Sequence, residues 1–302
     1  MKTLKQNQNG SVLIASLWAV SIFSVFLSSV AFQSGQQAML LKRETQNFES
    51  RTDYLSAVHY FARLVLEDAE PESDSPLDKW YGKVKLPEPW DKKITLEVSD
   101  EEARIDLNMA PQELLRGLFE AVTEKTGELK GDAEDFADEV LKLRDEGRLL
   151  SIEELFLGED IEKSDLEVLR PYITVSTGFG GINVNTADPL VLSVFIHSLP
   201  GDDFAKEELI RRILDYRASG ETGDAPGVFS SLELEPDFFM QKLKLSTSVP
   251  NVQVVNQLIL YIKADTRTWR LAMTSSSGRT ARTVIREKVS GANFEVLSWQ
   301  EY

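Results

Sequence analysis

The sequence predicts an α+β protein, with a long amino-terminal helix, an antiparallel β-sheet, and a large α-helical domain inserted between the first strand and the rest of the sheet. Three observations predict it. Residues 6–41 carry no charged side chain and then give way to apolar residues at helical spacing. Alternation of apolar and polar residues, the mark of a half-buried strand, occurs at 93–99 and again several times after 241. Between these stretches lies a segment that repeats itself, with helical periodicity in both copies.

The first element follows from length and charge. Roughly 20 apolar residues cross the ~30 Å hydrocarbon core of a bilayer, so residues 11–32 are long enough to span one. Lys2 and Lys5 precede the run, and positive charge favours retention of a leader on the cytoplasmic side. Gly10 stands directly between that basic leader and the apolar run, and the small Ser11 follows it. Leu41, Phe48 and Leu55 then recur at sevens, and Tyr54, Val58, Phe61 and Val65 at spacings of four, three and four. This is one face of a continuing amphipathic helix, expected to run to about Asp68 and to end before the turn region between Pro71 and Pro76.

Residues 79–89 read as an irregular connection, with Trp80, Tyr81 and Trp90 as lids on apolar surface. The strand at 93–99 exits through Asp100, Glu101 and Glu102, which read as a turn, and 103–106 is expected to pair back on it. The repeat begins there. Ile105-Asp-Leu-Asn-Met-Ala-Pro111 matches Ile182-Asn-Val-Asn-Thr-Ala-Asp-Pro189, and Asn108 or Asn185 opens a turn ahead of a helix that starts at a Pro. Each copy is trailed by a second helix pattern, at 136–145 and 207–218, and then by Ser151-Ile-Glu-Glu-Leu155 or Ser230-Ser-Leu-Glu-Leu234. A strand at 172–177 and the Gly178-Phe-Gly-Gly181 turn lead into the second copy. Five further strands are expected at 244–249, 257–263, 268–273, 279–288 and 294–300, separated by turns at Asp265, 275–278 and 290–293.

The net charge of −16 is unevenly spread: about −1 over 1–99, −13 over 100–170, −7 over 171–240 and +5 over 241–302. An acidic middle repels phosphate instead of releasing counterions from it. With no Cys, neither a disulfide framework nor a thiolate metal site can form. The two histidines, His59 and His197, have no metal-binding or nucleophile motif around them, so no catalytic residue is assigned. Gly178-Phe-Gly-Gly181 has neither the spacing nor the Lys of a phosphate loop. The acidic runs at 132–139, 159–160 and 202–203 lack the EF-hand pattern and read as solvated surface.

A basic leader ending in Gly10, followed by Ser11 and a long apolar helix, resembles a type IV prepilin-like leader. The resemblance implies cleavage between Gly10 and Ser11 on the cytoplasmic face by the prepilin peptidase, methylation, and retention of the helix. Pilins carry Glu at the fifth residue after the cut, where it pairs with the amino terminus of the neighbouring subunit. Here that residue is Ala15. Its absence, the two repeats and the terminal Val296-Leu-Ser-Trp-Gln-Glu resemble the minor pseudopilin K family of type II secretion systems. Residues 199–202, 209–217 and 229–232 also resemble a helix-hairpin-helix unit. Such hairpins bind DNA backbone through main-chain N–H groups, but Asp202 and Asp203 occupy that place, so a structural role without nucleic acid is expected.

The resemblance implies a pilin-like fold with this organisation: leader 1–10, transmembrane helix 11–32, periplasmic part of the helix 33–70, start of the β domain 71–106, an inserted acidic helical domain with two helix-hairpin-helix-like units 107–240, and the remaining β domain 241–302. It implies a single-pass inner-membrane protein with its carboxy-terminal domain in the periplasm, a non-enzymatic subunit at the tip of the pseudopilus. Its partners would be I- and J-type minor pseudopilins and the major pseudopilin. Calcium is the one cofactor the resemblance raises, without assigned ligands. Two other readings stay open: a membrane-anchored helix-hairpin-helix protein for DNA binding or uptake, and an exported protein whose first 31 residues are a removed signal ending at Ser29-Val-Ala31.

Overall fold

The computed structural model describes residues 8–157, 162–219, 226–288 and 293–302. Helix α1 (Gln8–Leu66) is continuous through the apolar run and the amphipathic stretch after it, ending two residues before the position read from periodicity. The chain divides into two units, 1–55 and 56–302. In the first, residues 12–49 are exposed along the helix.

In the second unit, the last turns of α1 bury Ala57, Val58 and Phe61. The sheet beside them comprises β1 (Gly82–Val84), β2 (Ile94–Asp100), β7 (Thr268–Ser275), β8 (Thr280–Glu287) and β9 (Phe294–Glu301). The strands are antiparallel throughout, in the order β1-β2-β7-β8-β9. Period-two alternation puts Ile94, Leu96 and Val98 of β2 and Trp269, Leu271 and Met273 of β7 on the buried side. Phe61 meets Trp80 at 6.3 Å and Trp269 at 5.6 Å between ring centroids, both edge-on, the arrangement that aromatic quadrupoles favour. Trp80 is thus a lid, as expected, while the connection around it also contributes β1.

Between β2 and β7 lie two-stranded parallel ladders and helices. The first ladder is β3 (Ile105–Asp106) with β4 (Ile173–Thr174), and the second is β5 (Ile182–Asn183) with β6 (Ile262–Lys263). The helices are α2 (Gln112–Thr126), α3 (Ala133–Glu146), α4 (Lys163–Leu169), α5 (Pro189–Ser198), α6 (Asp203–Ser219), α7 (Pro236–Lys242) and α8 (Val249–Leu258). Their shared core runs from Ile105 to Ala264.

Three expectations are corrected. Residues 103–106 do not pair back on β2; β3 turns away and pairs with β4, because Ile105 N–H is taken by Tyr172 O at 2.9 Å and Leu107 N–H by Thr174 O at 2.8 Å. Residues 244–249 are not a strand: Lys244 takes a left-handed conformation (φ 52) that closes α7, with Leu245 N–H bonded to Met240 O at 2.9 Å. Most of 257–263 is not a strand either. Pro250 opens α8, whose Asn251, Val254, Val255 and Leu258 are buried at helical spacing, and only Ile262 and Lys263 extend. Burial there overrides the β preference of the valines, and the helices continue past residue 240 to the start of β6. The turn expected at 290–293 falls largely outside the described residues.

Candidate functional site

Two places on the chain stand out. The first is the amino-terminal part of α1. Gly10 and Ser11 lie within its helical backbone, and Ala15 follows on its exposed surface. Large apolar side chains are uncovered along the whole run, from Val12 (69 % exposed) to Phe32 (68 %). At 1.5 Å per residue, residues 11–32 measure about 33 Å, against a hydrocarbon thickness of ~30 Å. Ser16 Oγ donates to Leu13 O at 2.8 Å, so this hydroxyl is satisfied without water. An exposed apolar surface this long calls for lipid or other helices around it. It is the one helix among the described residues long and apolar enough to cross a membrane.

The second place is the junction of sheet and helices, where the sequence suggested only a turn. Asp100, Glu101 and Glu102 form that turn, yet they are 1, 1 and 4 % exposed. Glu101 faces the first repeat: it accepts from Thr174 Oγ1 at 2.6 Å, from Arg104 Nη1 at 2.5 Å and from Arg270 Nη2 of β7 at 2.6 Å. Asp100 faces the second: its Oδ2 accepts from Thr186 Oγ1 at 2.5 Å and Thr266 Oγ1 at 2.8 Å. Glu102 accepts from Arg267 N–H at 3.0 Å and Thr268 Oγ1 at 3.1 Å, and pairs with Lys263 of β6. Three successive carboxylates therefore fasten the end of β2 to both repeats and to β7. The signal available in sequence was the unmatched supply of Thr and Arg at 266–270, which alternation alone assigned to a strand surface.

Their titration is split by environment. Burial pushes Glu101 upward, but the charges of Arg270 and Arg104 and its hydrogen bonds outweigh this and hold it below the usual range. Burial, then the charge of Glu102, pushes Asp100 up to about 7. Burial pushes Asp74, which accepts from Thr266 N–H, up to about 8. A carboxyl whose folded value is raised binds more protons when folded, so the stability it contributes is present at low pH and lost as pH rises through the folded value. From about pH 4, the ordinary carboxyl value, to about pH 8 these two groups are expected to lower the melting temperature, and the double variant Asp74→Asn with Asp100→Asn to flatten that slope. Parallel slopes for parent and variant in thermal melts would reject this assignment.

The repeat is carried to individual bonds. Asn108 Nδ2 donates to Leu149 O at 2.9 Å and Val175 O at 3.0 Å, while its Oδ1 accepts from Leu149 N–H at 2.9 Å. Asn185 Nδ2 donates to Phe229 O at 2.8 Å and Ala264 O at 3.3 Å, and its Oδ1 accepts from Phe229 N–H at 2.8 Å. Arg144 reaches Ala110 O at 2.6 Å, and Arg217 reaches Ala187 O at 2.7 Å. In each copy, then, one Asn ties the turn to the segment after the second helix and to the parallel ladder, and one Arg caps the loop before the first helix.

The hairpin of the second copy bears on nucleic-acid binding. Gly201 takes a positive φ of 147°, and a Cβ there would lie 2.6 Å from Val254 Cγ2, so glycine is required by both backbone and space. At the next residue, Asp202 Oδ1 accepts from Ala205 N–H at 3.0 Å. The start of α6 is thus capped from within, where a phosphate-binding hairpin would offer its N–H groups. Gly181 has a different reason for its identity: a Cβ there would lie 1.7 Å from Tyr261 O, where β5 meets β6.

His197 invites comparison with a catalytic triad, since Ser193 Oγ lies 3.4 Å from its Nδ1 and Glu207 Oε1 3.1 Å from its Nε2. The geometry does not activate the serine. Nδ1 also lies 2.8 Å from the carbonyl oxygen of Ser193, which can only accept, so this nitrogen carries the proton and cannot act as the base. Among the described residues no group of three or more His, Cys, Asp or Glu is placed to hold a metal ion.

The arrangement of elements has a counterpart among solved structures. A chain of the crystal structure of the GspK–GspI–GspJ complex from the type 2 secretion system of enterotoxigenic Escherichia coli superposes with a TM-score of 0.60, at 15 % identity. The match covers 88 % of this chain and 99 % of that one. The chain has a GspK-like pilin fold. Neither a family model nor a curated protein matches the sequence. The GspK-like likeness therefore lies in architecture, the long helix, antiparallel sheet and helical insertion, with 15 % identity beneath it.

Proposed function

We propose that this chain is a minor pseudopilin of a type II secretion system, a structural subunit at the tip of the periplasmic pseudopilus that helps to initiate or cap its assembly. The carrying observation is the likeness along nearly its whole length to a chain from the GspK–GspI–GspJ complex. The leader supports it: the prepilin peptidase cuts between Gly10 and Ser11, the new terminus is methylated, and residues 11–32 hold the protein in the inner membrane with the remainder in the periplasm. Its partners are the I- and J-type minor pseudopilins, with the major pseudopilin beneath them. Tip position follows from Ala15, which cannot offer the carboxylate that draws a pilin in beneath its predecessor, and from a helical insertion too bulky to stack between subunits. The role is that of a scaffold, without catalysis or nucleic acid.

Co-expression of the full chain with I- and J-type minor pseudopilins tests the reading. A stoichiometric membrane-extracted complex is expected. Ala15→Glu is expected to weaken it or to admit the subunit below the tip. Incorporation of the parent chain along the whole filament, seen by immunolabelling, would contradict tip position.

A further inference from the structure

The sheet ends on one side in the three-residue β1 and on the other in β9, an eight-residue edge strand with no neighbour beyond it among the described residues. Tyr302 and Thr280 exchange both backbone bonds, N–H to O, at 2.9 and 3.3 Å. In an antiparallel ladder the alternate residues then turn their backbone groups outward, which leaves Trp299 and Glu301 facing away from β8. Lys288 N–H bonds to Asn293 O at 2.8 Å at the other end, so Phe294 and Val296 face away there, with the bulge at Val284/Ile285 absorbing the change of phase. Phe294, Val296 and Trp299 pair with Glu287, Ile285 and Thr283, on the side of the sheet that holds the apolar core. They extend that core to the rim without closing it: Phe294 reaches Trp269 at 5.8 Å, while Val296 is 51 % exposed.

We propose that β9 is a docking edge for an antiparallel strand of a different polypeptide, apolar opposite Trp299, Val296 and Phe294 and basic opposite Glu295 and Glu301. The free backbone groups fix the occupant as an extended strand. Charge fixes its sign. Glu295 and Glu301 are exposed at opposite ends of β9, and cross-strand pairs of opposite charge stabilise a sheet whereas like charges oppose it. A second copy of β9 (Phe294–Glu301) carries the same two carboxylates and no cation, so it cannot supply the basic residues this edge favours. An incoming strand without a bulge meets Glu301 and, five residues on, Glu295 on its other face, with apolar residues opposite Trp299, Val296 and Phe294.

The inference goes beyond the pseudopilin reading and does not depend on processing or on membrane partners. The test uses the full chain in detergent micelles with the peptide Lys-Thr-Val-Thr-Val-Lys-Val, acetylated and amidated, and follows amide hydrogen exchange. Exchange at Phe294, Val296, Trp299 and Glu301 is expected to slow by about tenfold or more at saturation. A peptide with Glu for both Lys should protect weakly, and the variant Glu295→Lys with Glu301→Lys should reverse that preference. N-methylation of the peptide amides that face β9 should abolish protection. Unchanged exchange at these four amides at millimolar peptide, equal protection by Lys and Glu peptides, or a concentration-dependent dimer of the protein alone that protects them would overturn the proposal.

Discussion

Glu101→Ala is expected to destabilise the 56–302 unit by about 3–5 kcal/mol, the cost of removing one partner from a buried ion pair. The residue is 1 % exposed and accepts from Arg104, Arg270 and Thr174 at 2.5–2.6 Å. Removing the carboxylate leaves two guanidinium groups, themselves largely buried, facing each other across a cavity. Glu101→Gln keeps the shape and one acceptor but not the charge, and should fall between parent and alanine variant. The contrast is the exposed pair of Arg116 with Glu134, 3.4 Å apart, whose loss is expected to cost less than about 1 kcal/mol. Chemical denaturation of the full chain in micelles checks all three. Equal effects at Glu101 and Arg116 would mean that the junction is not held by these carboxylates.

Asn185→Ala is expected to have the next largest effect, about 2–4 kcal/mol, because it removes three hydrogen bonds and leaves Phe229 N–H and two carbonyls buried without partners. Asn108→Ala removes the same three bonds in the first copy, but Asn108 is only half-buried, so water can replace part of what is lost. The expected order is therefore Asn185 above Asn108. Asp at either site should not rescue, since a carboxylate cannot donate to the carbonyls. The same denaturation curves read both variants, and a larger loss at Asn108 would show that the two turns are not equivalent in the way their bonds suggest.

The parts of the fold legible in sequence were those with a strong period or punctuation. The charge-free run and the spacing after it gave α1 nearly to its last residue. Alternation gave β2, β7, β8 and β9, and the matched Ile105 and Ile182 segments announced two related helical units. What escaped depended on contacts distant in sequence. Ile105 and Ile182 find parallel partners 68 and 80 residues away, at Ile173 and Ile262, and nothing local marks such short ladders. Residues 249–258 carry four valines with a Pro at the start, a composition that locally favours extension until burial of Val254, Val255 and Leu258 decides for helix. Asp100, Glu101 and Glu102 read only as a turn, because three adjacent acids are rarely buried and nothing local marks their donors, which lie as far as 169 residues away. At the amino terminus, by contrast, the pattern behind the proposed cleavage at Gly10 and Ser11, with Ala15 after it, is local in sequence and was visible from the outset.

Cleavage after Gly10 separates an anchored pseudopilin from an exported protein, and intact mass reads it directly. The chain, expressed with a prepilin peptidase and extracted from membranes, is expected to have the mass of residues 11–302, starting at Ser11 with one methyl group and retaining the apolar helix. A chain starting at Phe32, or one that keeps Met1 through Gly10 in the presence of active peptidase, would contradict it.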